Sequence, residues 1–156
     1  MDSWTGSVAT VGVHTLTVVE LIHHTPAAAL DARSPSGAWS ARENLAHLGR
    51  YQEIFLDRLD RILAESTPRF DRYRTADDPA AEAWLACPGA RLTERLLEGR
   101  AGLVSRLQAL RPRDLARRGV HPAFGVMDVP GWLRFFLEHE GHHLYVARLR
   151  AAQGGN

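Results

Sequence analysis

Leu137–Leu149 reads LEHEGHHLYVARL, and the rest of the chain is organised around it. It lies inside the last long stretch of helix-period apolar residues, together with Trp132, Phe135 and Phe136. His139 and His143 are four residues apart. On an α-helix that spacing stacks two side chains on one face, with Cβ atoms about 5–6 Å apart. Two imidazoles so placed can share one metal ion, at roughly 2.0–2.1 Å for zinc. His142 projects to another side of the helix and does not readily join them.

The same segment spells H-E-x-x-H, a metalloprotease motif in which Glu140 would be the general base. Such enzymes take a third ligand from downstream, and Leu144–Asn156 contains no His, Asp or Glu. The extended motif also fails, because Val146 and Leu149 stand where it needs Gly and His. The protease reading is therefore set aside, and Glu140 is expected on a solvated face or, failing that, behind the ligands. A third ligand has to come from upstream, and His47 is the candidate.

His47 belongs to the next most legible stretch. Ser40-Ala41-Arg42-Glu43 reads as a capping box, in which Ser40 and Glu43 satisfy each other's backbone amides. The helix it opens runs to about Glu65, with Leu45, Leu48, Phe55, Leu59 and Ile62 on one buried stripe. His47 sits beside that stripe. Alone, it reads as a satisfied core histidine.

Three more helices complete the pattern. Trp4–His24 predicts a helix stopped by Pro26, with His14, His23 and His24 at its surface or boundary. Ala90–Leu110 predicts another, stopped by Pro112. Asp128 can cap the last, which runs to about Arg150. Asp78-Pro79 opens a short extra helix before the third long one, broken at Pro88-Gly89. Asp31–Trp39 and Thr67–Ala76 read as loops, and His121–Gly125 as a turn-rich entry to the last helix. No credible strand pair is found. Four amphipathic helices imply an all-α bundle that buries the four stripes together.

At 156 residues the chain is expected to form one domain, 1–156. A formal net charge of +1 argues against bulk capture of nucleic acid. All the basic side chains are Arg. The single cysteine, Cys87, excludes an internal disulfide and suits a reducing cytoplasm. It reads as a small packed thiol. No run approaches 18 uninterrupted apolar residues, so no membrane span is expected.

Two stretches carry a family resemblance. Trp39–Leu48, WSARENLAHL, resembles the opening of the second helix in the DinB/YfiT family. His121–Gly125, HPAFG, followed by Trp132, Phe136, His139 and His143, resembles that family's last loop and helix. Many members carry Gln where this chain has Val146. The resemblance implies an up-down-down-up four-helix bundle, a divalent metal held by His47, His139 and His143, and a homodimer. Imidazole donors suit Zn²⁺ or Ni²⁺ first, with Fe²⁺ and Mn²⁺ left open. Neutral His is the binding form, so occupancy is expected to fall below about pH 6. Trp4, Leu16 and Trp84 are candidates for an apolar dimer surface.

Family members include bacillithiol- and mycothiol-type S-transferases, thiol-dependent isomerases, and proteins regarded as damage-inducible or as metal-dependent hydrolases. Three functions follow as expectations. The first is transfer of a low-molecular-weight thiol cosubstrate to an electrophilic small molecule, in stress or detoxification. The second is metal-dependent hydrolysis by a metal-activated water. The third is a non-enzymatic module that binds metal or a small ligand. A transferase needs groups for the carboxylates of its thiol, and Arg42, Arg50 and the cluster Arg111, Arg113, Arg117 and Arg118 are the candidates. A hydrolase needs a base beside the metal, and Glu43, His121, Glu140 and His142 are eligible.

Overall fold

The capping box at Ser40 forms. The Ser40 hydroxyl accepts from the Glu43 amide at 3.1 Å, and Glu43 Oε2 accepts from the Ser40 amide at 2.9 Å. The structure is a computed structural model that describes residues 3–154. Its four long helices are α1 (Ser3–His24), α3 (Ala41–Ala64), α5 (Gly89–Gln108) and α7 (Val129–Gly154). The short helices are α2 (Ala27–Asp31), α4 (Pro79–Leu85) and α6 (Pro112–Leu115). A 3₁₀ turn spans Thr75–Asp77. α4 is the extra helix that Asp78-Pro79 predicts, with the Asp78 side chain accepting from the Ala80 amide at 3.0 Å.

α1 and α3 lie across a diagonal, and each packs on both α5 and α7. The residue pairs give the helix directions. His47 faces His139 while Asn44 faces His143, so α3 runs antiparallel to α7. Arg95 meets Glu53 and Arg106 meets Asp60, so α5 runs parallel to α3. Val11 shares one core cluster with Trp132 and Phe136, and Val18 and Leu21 share the other with Leu144 and Ala147, so α1 runs parallel to α7.

Trp84 of α4 is buried, 2% exposed, against Gly49 of α3. It is therefore core, and the dimer surface expected of it is corrected: its ring fills a notch that only a residue without a Cβ can leave. Cys87 is buried close by. α1 has a mean hydropathy of 1.3 over its most apolar 18-residue window, enough in length and composition to cross a membrane. Here it is a bundle helix, with Val11, Val18 and Leu21 turned into the core.

The expectation of no strand pair is also corrected. Arg118–His121 (β1) and Gly125–Asp128 (β2) form an antiparallel hairpin, with Gly119 opposite Met127 and His121 opposite Gly125. Gly125 closes its three-residue loop at φ 71°, a conformation glycine adopts without a Cβ penalty. The other edge of β1 is also held: the Val120 amide donates to the Pro68 carbonyl at 2.8 Å and the Phe70 amide to the Val120 carbonyl at 3.1 Å. Four-residue strands show almost no alternation in sequence, and this pair depends on a partner some fifty residues away. Gly119 lies against Ile62 and Phe70, where an added Cβ would come within 2.8 Å of Ile62. The hairpin is thereby fixed to the end of α3, and it carries His121.

Candidate metal centre

His47 on α3 meets His139 and His143 on α7. One ligand atom from each lies within 4.8 Å of the others. His47 Nε2 and His139 Nε2 are 3.2 Å apart. A tetrahedral ion with bonds of about 2.0–2.1 Å separates its donors by about 3.3 Å, so the spacing fits a zinc-like ion. Three donors leave one position open for water or substrate.

The surrounding residues orient the three rings, and Asn44 fixes the tautomer of His143. Asn44 Nδ2 donates to the Ser40 carbonyl at 2.8 Å, which turns its Oδ1 towards His143. That oxygen accepts from His143 Nδ1 at 2.8 Å, so the neutral ring presents a bare Nε2 to the cluster. His47 Nδ1 lies 3.3 Å from the Thr75 hydroxyl. His139 is oriented by stacking on Tyr51, with centroids 3.9 Å apart, and its Nδ1 is buried without a hydrogen bond. Trp39 packs on His47 from the open side at 5.2 Å.

Burial lowers the pKa of all three imidazoles. His47 and His143 fall to about 4. His139 falls to about 3, through burial first and then the neighbouring histidines and Arg58. All three are thus neutral, with lone pairs available, across the physiological range. Proton competition moves below the pH 6 expected from an unperturbed imidazole.

The three face a cleft of about 580 Å³, within the range of small-molecule sites. Trp39, Tyr51, Tyr73, His121 and Phe135 line it, with Arg58 and Arg72. Burial raises the pKa of both phenols, that of Tyr73 to about 12, so both are protonated at neutral pH. His121 Nδ1 accepts from the amides of Ala123 and Phe124, each at 3.1 Å. The proton of the neutral ring is therefore on Nε2, which makes His121 a donor. Burial and then Arg58 lower its pKa, which keeps it neutral.

The remaining residues singled out in the sequence lie elsewhere. Glu43 is held by the capping box and an ion pair with Arg33; burial raises its pKa, and the Arg33 and Ser40 hydrogen bonds more than reverse that. Glu140 is not on a solvated face. It is fully buried, paired with Arg100 of α5 and with His14 Nδ1 of α1 at 2.8 Å. His14 is half-buried, within the surface or boundary placing expected of it, and its ring reaches this core carboxylate. His142 is exposed, outside the cleft. Arg42 binds Asp31 and the Leu85 and Cys87 carbonyls, and Arg50 binds Asp78 and Glu53. Arg117 ties the hairpin to the α3 end through the Ile62 and Glu65 carbonyls, and Arg111 pairs with Asp114. None of these lines the cleft. The lining residues missed in the sequence, Tyr51, Arg58, Arg72, Tyr73 and Thr75, carry no motif.

Two solved structures resemble the whole chain. YfiT from Bacillus subtilis, described as "a probable metal-dependent hydrolase with an unusual four-helix bundle topology", superposes with a TM-score of 0.79 at 17% identity, covering 97% of this chain and 87% of that one. TT2238, described as a four-helix bundle protein, gives 0.68 at 21% identity, covering 93% and 97%. At these identities the likeness establishes the fold. No curated protein sequence matches the chain significantly. The sequence profile of the DinB superfamily matches residues 15–147, and the chain belongs to that superfamily.

Proposed function

We propose that this protein is a metal-dependent enzyme that joins a low-molecular-weight thiol to an electrophilic small molecule. The observation that carries this reading is the acid–base character of the cleft: three neutral imidazoles at ligand spacing, and no carboxylate among the described residues that line it. A divalent ion held by His47, His139 and His143 would act as a Lewis acid and lower the pKa of a bound thiol or water. A thiol bound there would be deprotonated outright, its proton passing to solvent, and would need no further base. Hydrolysis is helped by a base that takes the proton of water, and Glu43, Glu140 and His142 all lie outside the cleft. His121 is set as a donor, and the two tyrosines are protonated. Such groups can stabilise negative charge that develops on the electrophile or its leaving atom. Trp39 and Phe135 supply apolar walls that exclude water.

Hydrolysis is the second reading, favoured by the description given to YfiT. Zinc-loaded protein distinguishes them when it is offered monobromobimane with cysteine, and separately p-nitrophenyl acetate without thiol. Thiol conjugation above the protein-free rate, lost in His143→Ala, is the expected result. Ester hydrolysis without conjugation would move the assignment to hydrolase, and neither activity would favour a binding module.

A further inference from the structure

Two arginines are buried in the described structure, and they are treated differently. Arg100 is 5% exposed and is neutralised by Glu140. Arg58, on α3, is 7% exposed and forms no ion pair with any described residue. Its Nη2 donates to the Asp71 carbonyl at 3.0 Å, and its Nη1 reaches the Tyr51 hydroxyl at 3.5 Å. The guanidinium carbon lies 5.6 Å from the Phe70 ring centroid and 5.7 Å from that of Trp132. Aromatic faces and one carbonyl do not cancel a buried unit charge. Such groups are normally paired. Arg58 nevertheless lines the cleft, as does Arg72, which is exposed and also without an ion pair among the described residues.

Tyr51 connects this end of the cleft to the histidines. Its ring stacks on His139 and its hydroxyl faces Arg58. The charge of Arg58 is also felt at His121 and His139, where it adds to the lowering of their pKa values by burial. The cleft thus has a ligand cluster at one end and uncompensated positive charge at the other.

We infer that Arg58 and Arg72 form an anion subsite, and that the molecule this cleft takes is a small carboxylate whose other end meets the three histidines. Resting on the reading above, that molecule is the thiol cosubstrate, a thiol carboxylate. The guanidinium fork matches a carboxylate in shape and charge. The subsite replaces Arg42 and Arg50, whose guanidinium groups are already engaged by Asp31, Asp78 and Glu53.

The test is isothermal titration with N-acetylcysteine and with N-acetylcysteine amide, which differ in the carboxylate, on zinc-loaded and metal-free protein. Wild type should prefer the acid by about tenfold or more. That preference should persist without zinc, vanish in Arg58→Met, and survive in part in Arg58→Lys, while zinc stoichiometry stays constant. Arg72→Ala, at an exposed position, should weaken the acid and leave the amide unchanged; it carries the test if Arg58→Met does not fold. Equal binding of acid and amide to wild type would overturn the subsite. So would a preference that disappears with the metal, one that survives in Arg58→Met, or no binding of either probe. Failure of the metal reading shows separately, as wild-type protein that binds no zinc.

Discussion

His143 presents a bare Nε2 because the atom behind its Nδ1 is assigned. The Asn44 amide is held by the Ser40 carbonyl and in turn holds His143, so a capping residue indirectly orients a ligand. Alanine at any one of the three histidines is expected to abolish stoichiometric zinc, read by elemental analysis after dialysis. His142→Ala should retain it. Asn44→Ala should weaken zinc about 10–100-fold, the usual cost of losing a partner that orients a ligand, as read by competition with a chromogenic chelator. Glu140 gives a contrasting case beside His139. Its carboxylate neutralises Arg100 in the core, so Glu140→Gln leaves a buried charge unpaired and should cost about 3–5 kcal/mol in urea unfolding. A catalytic base would instead lose activity at unchanged stability.

Among the elements, α3 carries the most: the capping box, His47, Tyr51, Arg58 and the Gly49 notch. Alanine is better than glycine inside a helix by about 1 kcal/mol, which alone would make Gly49→Ala stabilising. A Cβ there would overlap the Trp84 ring, which is buried and tied to Glu53 by its Nε1 at 3.1 Å. Overpacking of this kind costs about 1–3 kcal/mol, so the clash wins. Gly49→Ala should lower the urea midpoint, and a midpoint that rises would show that α4 can move away freely. The hairpin has a different role. β1, held on both edges, carries His121 to the cleft, while the Ala123 and Phe124 amides of its loop set the tautomer of that histidine.

At the scale of the whole molecule, the histidine cluster is linked to stability. In the metal-free protein the three imidazoles have pKa values of about 3 to 4, below the 6.5 of an unperturbed histidine. Between pH 6.5 and about 4 the unfolded chain binds protons that the folded one does not. Stability is therefore intact above pH 6.5 and falls with decreasing pH, by about 1.4 kcal/mol per pH unit for each proton involved. The melting temperature of the metal-free protein should drop across that window, and an Ala variant at any of the three histidines should flatten the slope. Zinc at a hundred times its dissociation constant should add about 2.7 kcal/mol. The homodimer implied by the family resemblance is a separate proposal. Leu16 of α1 is 65% exposed and Leu97 of α5 is 37% exposed, and both line one shallow groove. If a second copy covers them, Leu16→Asp should convert a dimer to a monomer in sedimentation, and a monomeric wild type would remove the proposal.

The sequence by itself determined the long helices, the caps at Ser40 and Asp128, and the placing of His139 and His143 on one helix face. Helical periodicity and capping are local, and their signals lie within a few residues of each other. His47 was legible because it stands beside a strongly marked helix start. Only the tertiary structure decided what lies behind and beside the cluster. Glu140 takes its partners from 40 and 126 residues away, and those contacts turn an expected surface carboxylate into a core one. The hairpin needed Pro68–Phe70 along its outer edge. Arg58 and Arg100 look alike in the sequence, each one of four arginines on an amphipathic helix. Whether a carboxylate faces them depends on which helices become neighbours. Burial, desolvation and charge compensation are properties of the packed surroundings, and no window along the chain contains them.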